Sequence, residues 1–295
     1  MPTPDRRTPP LSHDDDHAPD GGLRLDLNAT FHRRRALQML VGAGAVALLG
    51  VGCGEGETAG TAATTAATGT ASTTGSTTDA TTSDAACSDT IPQETAGPYP
   101  GDGSNGPNVL NQDGVVRSDI RSSFGGMSGT AEGVALTVVL ELLDANDGCT
   151  PLTGAALYLW HCDRDGGYSL YSSGLEDQNY LRGMQVASSD GTVTFSTIFP
   201  GCYPGRWPHM HFEVYASEAD AAGGGQPAAT SQLALPKAFC ETIYARSEYG
   251  SSAGNLAQLS LQTDNVFADD GAVHQIPRMS GTAGSGLTAR LTVPV

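Results

Sequence analysis

The chain has 295 residues, and its 32 acidic and 15 basic side chains give a formal net charge of −17. This acidic balance argues against a nucleic-acid partner, because phosphate backbones are bound by clusters of basic groups. Residues 87–295 are long enough to form one domain with a sizeable core.

Residues 1–53 have the features of an export signal. Three arginines precede an apolar run over 36–51, which is short for a membrane span of ~20 residues. The arginine pair followed by Leu37 resembles a twin-arginine signal. Cys53 stands where a lipoprotein signal carries its lipidated cysteine, although Gly50 occupies a position where such signals favour leucine. We therefore expect an exported protein, either attached to a membrane through Cys53 or released by cleavage of an ordinary signal.

Residues 54–86 consist almost entirely of alanine, threonine, glycine and serine. Such a segment buries too little apolar surface to offset the entropy lost on ordering. It is typical of a flexible tether between an anchor and a folded domain, and a merely tolerated disordered tail is the alternative.

The rest of the chain alternates short β-type runs with clusters of glycine, asparagine, aspartate and proline. One helix is expected, over 236–247, with Pro236 in its first turn. The pattern predicts an all-β domain, an antiparallel β-sandwich with long loops and at most one short helix. The expected strands are 134–143, 155–161, 184–188, 192–198, 209–215, 230–235 and 287–295.

The run "HMHFEVY" at 209–215 carries two histidines one residue apart. Strand alternation places Met210 and Phe212 on one face and His209 and His211 on the other. Two imidazoles about 7 Å apart along a strand, at a rise of ~3.3 Å per residue, are able to bind one metal ion. The pattern also fits two solvated histidines on an exposed face.

Several motifs share their order and spacing with one known family. The domain opens with "IPQETAGPYP" (91–100) and "VRSDIR" (116–121). "WHCDRDGGYSLY" (160–171) and "FPGCYPGR" (199–206) each carry a tyrosine after a glycine-containing turn, and "TSQLALP" follows the histidine pair. Together these motifs, spread over about 91–293, resemble the intradiol ring-cleavage dioxygenases, in particular the catalytic core of protocatechuate 3,4-dioxygenase-like proteins.

The resemblance implies a non-haem ferric iron site and the residues that serve it. Phenolate oxygen and imidazole nitrogen suit the hard ferric ion. Arg206 would be the active-site arginine, with a surface salt bridge as the plainer interpretation, and Gln232 would line the pocket. The implied iron ligands are Tyr168, Tyr203, His209 and His211.

The implied reaction cleaves a catechol-type ring with O2 to a cis,cis-muconate-type dicarboxylate. The substrate would chelate iron and displace Tyr203, which then accepts a proton, while Arg206 stabilises negative charge on the ring. Only five residues separate Tyr203 from His209, fewer than in the protocatechuate enzymes, so the particular catechol stays open.

Two other functions remain open at this point. An exported β-sandwich could bind a carbohydrate or protein partner without catalysis, using its tyrosines and Trp207 as a recognition surface. A superoxide dismutase-like sandwich also places an HxH pair on a strand, but it needs more histidines than this domain has.

The remaining cysteines and histidines have simpler expectations. Exported domains favour disulfides, and we expect the pairs Cys202–Cys240 and Cys149–Cys162. His161 ends an apolar strand and is expected to be structural. His274 lies in a polar loop and is expected to be solvated.

Overall fold

A computed structural model of the chain describes residue 87 and residues 89–295. The expectations for residues 1–53 and 54–86, including Cys53, lie outside the described residues. Within them, no helix is long and apolar enough to cross a membrane.

The described residues form two stacked β-sheets, which confirms the β-sandwich. The nine strands are β1 (Ala135–Asp144), β2 (Thr150–Pro151), β3 (Ala156–Trp160), β4 (Arg182–Val186), β5 (Thr192–Ile198), β6 (His209–Tyr215), β7 (Ala229–Ala234), β8 (Arg278–Thr282) and β9 (Gly286–Pro294). Each of the seven predicted runs overlaps a strand. The short β2 and the exposed β8 were not predicted, since β2 has two residues and β8 has no apolar alternation.

The sheets are not wholly antiparallel. One has the order β4-β3-β6-β7, with every neighbouring pair antiparallel. In the other, β1 pairs antiparallel with β2 and β5 but parallel with β9, and β9 continues to β8. Strand β9 lies beside β1, and these two form the one parallel pair among the described strands.

The expectation of at most one helix was wrong. Three short α-helices are present among the described residues: α1 (Glu218–Ala222), α2 (Lys237–Tyr244) and α3 (Ser252–Leu256). The predicted helix is α2, and Pro236 is its N-cap residue. The two others have five residues each, too few for a 3.6-residue hydrophobic period to stand out in the sequence.

The apolar core fills the space between the sheets, and a second layer covers the outer face of the β4-β3-β6-β7 sheet. Leu140 of β1 and Phe212 of β6 belong to the first cluster. Tyr158 and Trp160 of β3 belong to the second, together with loop residues such as Val109. Strand β6 is consequently buried along its whole length, on both faces.

The predicted disulfides were wrong. Cys149 is bonded to Cys87, with Cα atoms 5.8 Å apart. The other three cysteines of the described chain are buried free thiols, Cys162, Cys202 and Cys240. Each of these thiols lies near a backbone carbonyl instead: Cys162 near Gly201 at 3.6 Å, Cys202 near Tyr203 at 3.9 Å and Cys240 near Leu235 at 3.8 Å.

Candidate active site

The histidine pair lies at the start of β6, on the outer face of its sheet. His209 and His211 are only 2% and 3% exposed, so the alternative of two solvated histidines is wrong. Trp160, the cross-strand partner of His211, stacks on its ring at 5.0 Å between centroids and an angle of 8°. Both imidazoles are therefore held in a dry, packed position.

Four polar atoms converge at this point. The Nε2 atoms of His209 and His211 are 3.0 Å apart. The phenol oxygen of Tyr168 lies 3.3 Å from Nε2 of His211, and that of Tyr203 lies 3.2 Å from Nε2 of His209. The structure thus brings together all four residues that the motifs single out.

Two loops deliver the tyrosines, and each loop depends on a glycine. Gly166 adopts φ +92, and a Cβ there would lie 3.1 Å from Cβ of Tyr203. A Cβ on Gly201 would lie 2.4 Å from the carbonyl oxygen of Arg164. The backbone N–H of Gly201 donates to the carbonyl of Asp163 at 2.9 Å, which joins the two loops.

Burial fixes the protonation of the cluster. Desolvation lowers the pKa of His209 well below its usual value, and Arg206 adds to this effect. Desolvation also lowers the pKa of His211, with His209 as the next cause. Burial raises the pKa of Tyr168 well above its usual value, and Tyr203 adds to it. Without a cation the cluster is neutral, with imidazole lone pairs and phenol oxygens directed at one another.

The tautomer of His209 is set by its surroundings. Its Nδ1 donates to the backbone carbonyl of Trp207 at 2.5 Å, which leaves the lone pair on Nε2. A ligating histidine is typically oriented in this way by a hydrogen bond on its other ring nitrogen. The donor set of two phenols and two neutral imidazoles therefore fits a hard trivalent metal ion.

Arg206 is buried at 1% exposure and is not a surface salt-bridge partner. Its Nε donates to Oδ2 of Asp264 at 3.1 Å, and its Nη2 donates to Oε1 of Gln232 at 2.6 Å. Gln232 is the cross-strand partner of His211, and its Nε2 donates to the carbonyl of Thr95 at 2.8 Å. The side chains of Arg206 and Gln232 therefore belong to one hydrogen-bonded group beside the histidines.

The sequence did not indicate Asp264. Its Oδ2 accepts from Nε of Arg206 and also from the backbone N–H of Trp207 at 2.7 Å. Its Oδ1 accepts the backbone N–H groups of Val266 and Phe267 at 2.9 and 3.1 Å. It lies 58 residues from Arg206 in an irregular loop, so no spacing or periodicity could have connected them.

The other histidines behave as expected. His161 is buried, with Nδ1 2.7 Å from the carbonyl of Cys162 and Nε2 2.7 Å from Oγ1 of Thr197, and its role is structural. The side chain of His274 is 41% exposed. Of the described histidines, only His209 and His211 contribute to the cluster.

Comparisons with known proteins identify similar folds and sequences. A family model described as Dioxygenase matches residues 106–222. An intradiol ring-cleavage dioxygenase structure from Tetranychus urticae is 26% identical, with a TM-score of 0.55, over 70% of this chain and 94% of that one. The fold is thus similar to that of a dioxygenase β-sandwich.

A curated relative adds a short but closer match. Chlorocatechol 1,2-dioxygenase of Rhodococcus opacus is 46% identical over 54 residues, which are 18% of this chain and 21% of that protein. The match thus spans about a fifth of that relative's length. Over these residues the chain is similar to intradiol ring-cleavage dioxygenases.

Proposed function

We propose that this protein is a ferric-iron-dependent intradiol dioxygenase that cleaves a catechol-type ring with O2 to a cis,cis-muconate-type dicarboxylate. The observation that carries the proposal is the convergence of two phenol oxygens and two imidazole nitrogens with separations of 3.0 to 3.3 Å. Tyr168, Tyr203, His209 and His211 would hold the metal. Bound ferric iron would supply the Lewis acidity that withdraws electron density from a chelated catechol.

The two tyrosines are placed for different tasks. Tyr168 is 2% exposed, and its ring packs against Tyr99 with centroids 5.0 Å apart. Tyr203 is only partly buried and lies in the loop before β6. Tyr203 is therefore the one able to turn away when substrate binds. Its phenol would lose its proton on binding the metal, and the resulting phenolate oxygen would then take up a catechol proton.

Arg206 supplies positive charge beside the reacting ring. Its guanidinium is held by Asp264 and Gln232 before substrate arrives, so little reorganisation accompanies its action. Burial of the site excludes water and strengthens the interaction of this charge with negative charge developing on the ring.

The structure offers less support for the two other functions. A recognition surface needs exposed aromatic side chains, whereas Tyr168 and Trp207 are 2% and 3% exposed. A dismutase-like site needs a larger histidine cluster, and no group of three or more His, Cys, Asp or Glu residues suited to a metal occurs among the described residues.

The proposal is tested by oxygen uptake with catechols. The iron-loaded protein should consume one O2 per ring-opened product, and Tyr168→Phe and His211→Ala should each abolish turnover. Lys237→Ala, a change on the exposed side of α2, is the matched control and should leave turnover unchanged. Full activity in both site variants would refute the assignment of the ligands.

We also propose that the domain is exported, as the residues before 54 indicate. The Cys87–Cys149 disulfide is consistent with an oxidising compartment. Membrane attachment through Cys53 is tested by cell fractionation. The wild-type protein should fractionate with membranes and Cys53→Ala should be released, whereas equal distribution of the two would refute attachment.

A further inference from the structure

A buried arginine outside the proposed catalytic group lies next to the Tyr168 loop. Arg182 begins β4, is 0% exposed and is the cross-strand partner of Trp160. Trp160 in turn pairs with His211, so the three side chains share the outer face of the sheet. The guanidinium of Arg182 therefore lies on the face that carries the histidine pair.

No carboxylate among the residues that the structure describes forms an ion pair with Arg182. Burying an unpaired charge is costly unless hydrogen bonds satisfy its donors. Here every hydrogen-bonding partner is neutral, and the partners come from separate parts of the chain. The guanidinium is thus stabilised by neutral groups, and it joins those groups to one another.

One side of the guanidinium holds the residue that follows Tyr168. Nε donates to Oγ of Ser169 at 3.0 Å, and Nη2 donates to the backbone carbonyl of Ser169 at 2.9 Å. Oγ of Ser169 in turn donates a hydrogen bond to the backbone carbonyl of Tyr180 at 2.7 Å. The backbone at Ser169 is thereby fixed at two atoms.

The other side holds the segment 91–101, here called the N-terminal strap. Nη1 donates to the carbonyls of Tyr99 and Pro100 at 2.8 and 2.9 Å. A Cβ on Gly101, at φ +69, would lie 3.0 Å from Nη1, so glycine permits this close approach. The ring of Tyr99 packs on Tyr168 with centroids 5.0 Å apart.

We propose that Arg182 is a positioning residue for Tyr168, and that its guanidinium joins the Ser169 backbone to the N-terminal strap so that the Tyr168 phenol is held from both sides. This inference rests on the proposed function, because it concerns one of the four proposed iron ligands. The planar guanidinium of arginine has donors on several edges and is able to bind both segments at once, whereas the single ammonium of lysine is not.

The test measures the affinity of the purified protein for Fe(III) by competition with a chelator. Arg182→Lys is made in the wild type, in Tyr168→Phe and in Tyr203→Phe. If Arg182 acts through Tyr168, affinity falls about 10-fold or more in the wild type and in Tyr203→Phe, as for other groups that orient metal ligands. In Tyr168→Phe the further loss should be no more than about twofold, since the residue acted upon is already changed.

Arg117→Lys is the matched control. Arg117 also donates to backbone carbonyls, including that of Arg182 at 2.6 Å, and lies over the ring of Phe124, but has no hydrogen bond to Ser169 or to the strap. It should alter stability without altering iron affinity. An equal loss of affinity from Arg182→Lys in all three backgrounds would show a general structural effect and overturn the inference.

Two further results distinguish a wrong ligand set from a wrong role for Arg182. If Tyr168→Phe alone leaves iron affinity unchanged, both the proposed ligand set and this inference fail. If Tyr168→Phe weakens binding and Arg182→Lys does not, the inference alone fails. Should Arg182→Lys not fold, Ser169→Ala removes one of the two contacts at Ser169, and it should weaken Fe(III) binding in the wild type but not in Tyr168→Phe.

Discussion

Asp264 is the residue on which the geometry of Arg206 most depends. Each of its two carboxylate oxygens accepts two hydrogen bonds, and its side chain is 0% exposed. Removing one partner of a buried ion pair leaves the other charge uncompensated. Asp264 therefore links the loop that carries it to the guanidinium that serves the reaction.

Asp264→Asn is expected to lower stability by about 3 kcal/mol. It should lower kcat/KM by about 100-fold, because the guanidinium loses its fixed position. Iron content should be retained, since all four proposed ligands remain. Denaturant unfolding, metal analysis and steady-state kinetics check these outcomes.

The matched control is Asp119→Asn. Asp119 pairs with Arg121 on the surface, with side chains 50% and 45% exposed. This ion pair should contribute less than about 1 kcal/mol to the free energy of unfolding. Loss of iron without loss of kcat/KM per bound iron in Asp264→Asn would contradict the role given to Asp264.

Among the strands and helices, the sequence predicted seven of the nine described strands and the face on which the histidines lie. Alternation in β6 was sufficient for that, because Met210 and Phe212 belong to the core between the sheets. Burial of the other face was not predictable, because it depends on loops far away in the chain, such as the one with Val109. The disulfide was missed for the same reason, since pairing depends on tertiary positions that cysteine spacing does not define.

The two tyrosine loops form one unit through the contact at Gly201. We expect Gly201→Ala to push the loops apart, because its Cβ would lie 2.4 Å from the carbonyl oxygen of Arg164. The free energy of unfolding should fall by about 1–3 kcal/mol, and iron affinity should fall with it. Denaturant unfolding and chelator competition measure the two effects.

Gly254→Ala serves as the comparison. Gly254 lies in α3, and a Cβ there meets nothing within 4 Å. That substitution should leave iron affinity unchanged and stabilise the protein slightly, since alanine favours helix over glycine. Identical behaviour of the two variants would contradict the account of the loops.

Buried titratable groups make the stability of the folded domain depend on pH. Burial lowers the pKa of His161 from 6.5 to about 4. Its Nδ1 donates to the carbonyl of Cys162, and its Nε2 accepts from the Thr197 hydroxyl, an arrangement that only the neutral ring permits. Between these two pKa values the unfolded chain binds the proton more readily, so stability is lost as pH falls from about 6.5 to 4.

We expect His161 to lower the free energy of unfolding by roughly 3 kcal/mol as the pH falls over that interval. Unfolding free energies of the wild type and of His161→Gln, measured from pH 7 to pH 4.5, should show a shallower decline in the variant. Burial raises the pKa of Glu213 to about 7 and acts in the opposite direction, but it is present in both proteins and cancels in the comparison. Parallel pH profiles would contradict the assignment to His161.

We propose that the iron bound by Tyr168, Tyr203, His209 and His211 is ferric and binds the catechol substrate. The most direct measurement is the visible absorption spectrum of the iron-loaded protein during titration with catechol. We predict a ferric-tyrosinate band that shifts as catechol binds, and that is lost or strongly reduced in Tyr168→Phe. A colourless iron-loaded protein, or a spectrum that does not respond to catechol or to Tyr168→Phe, would contradict the claim.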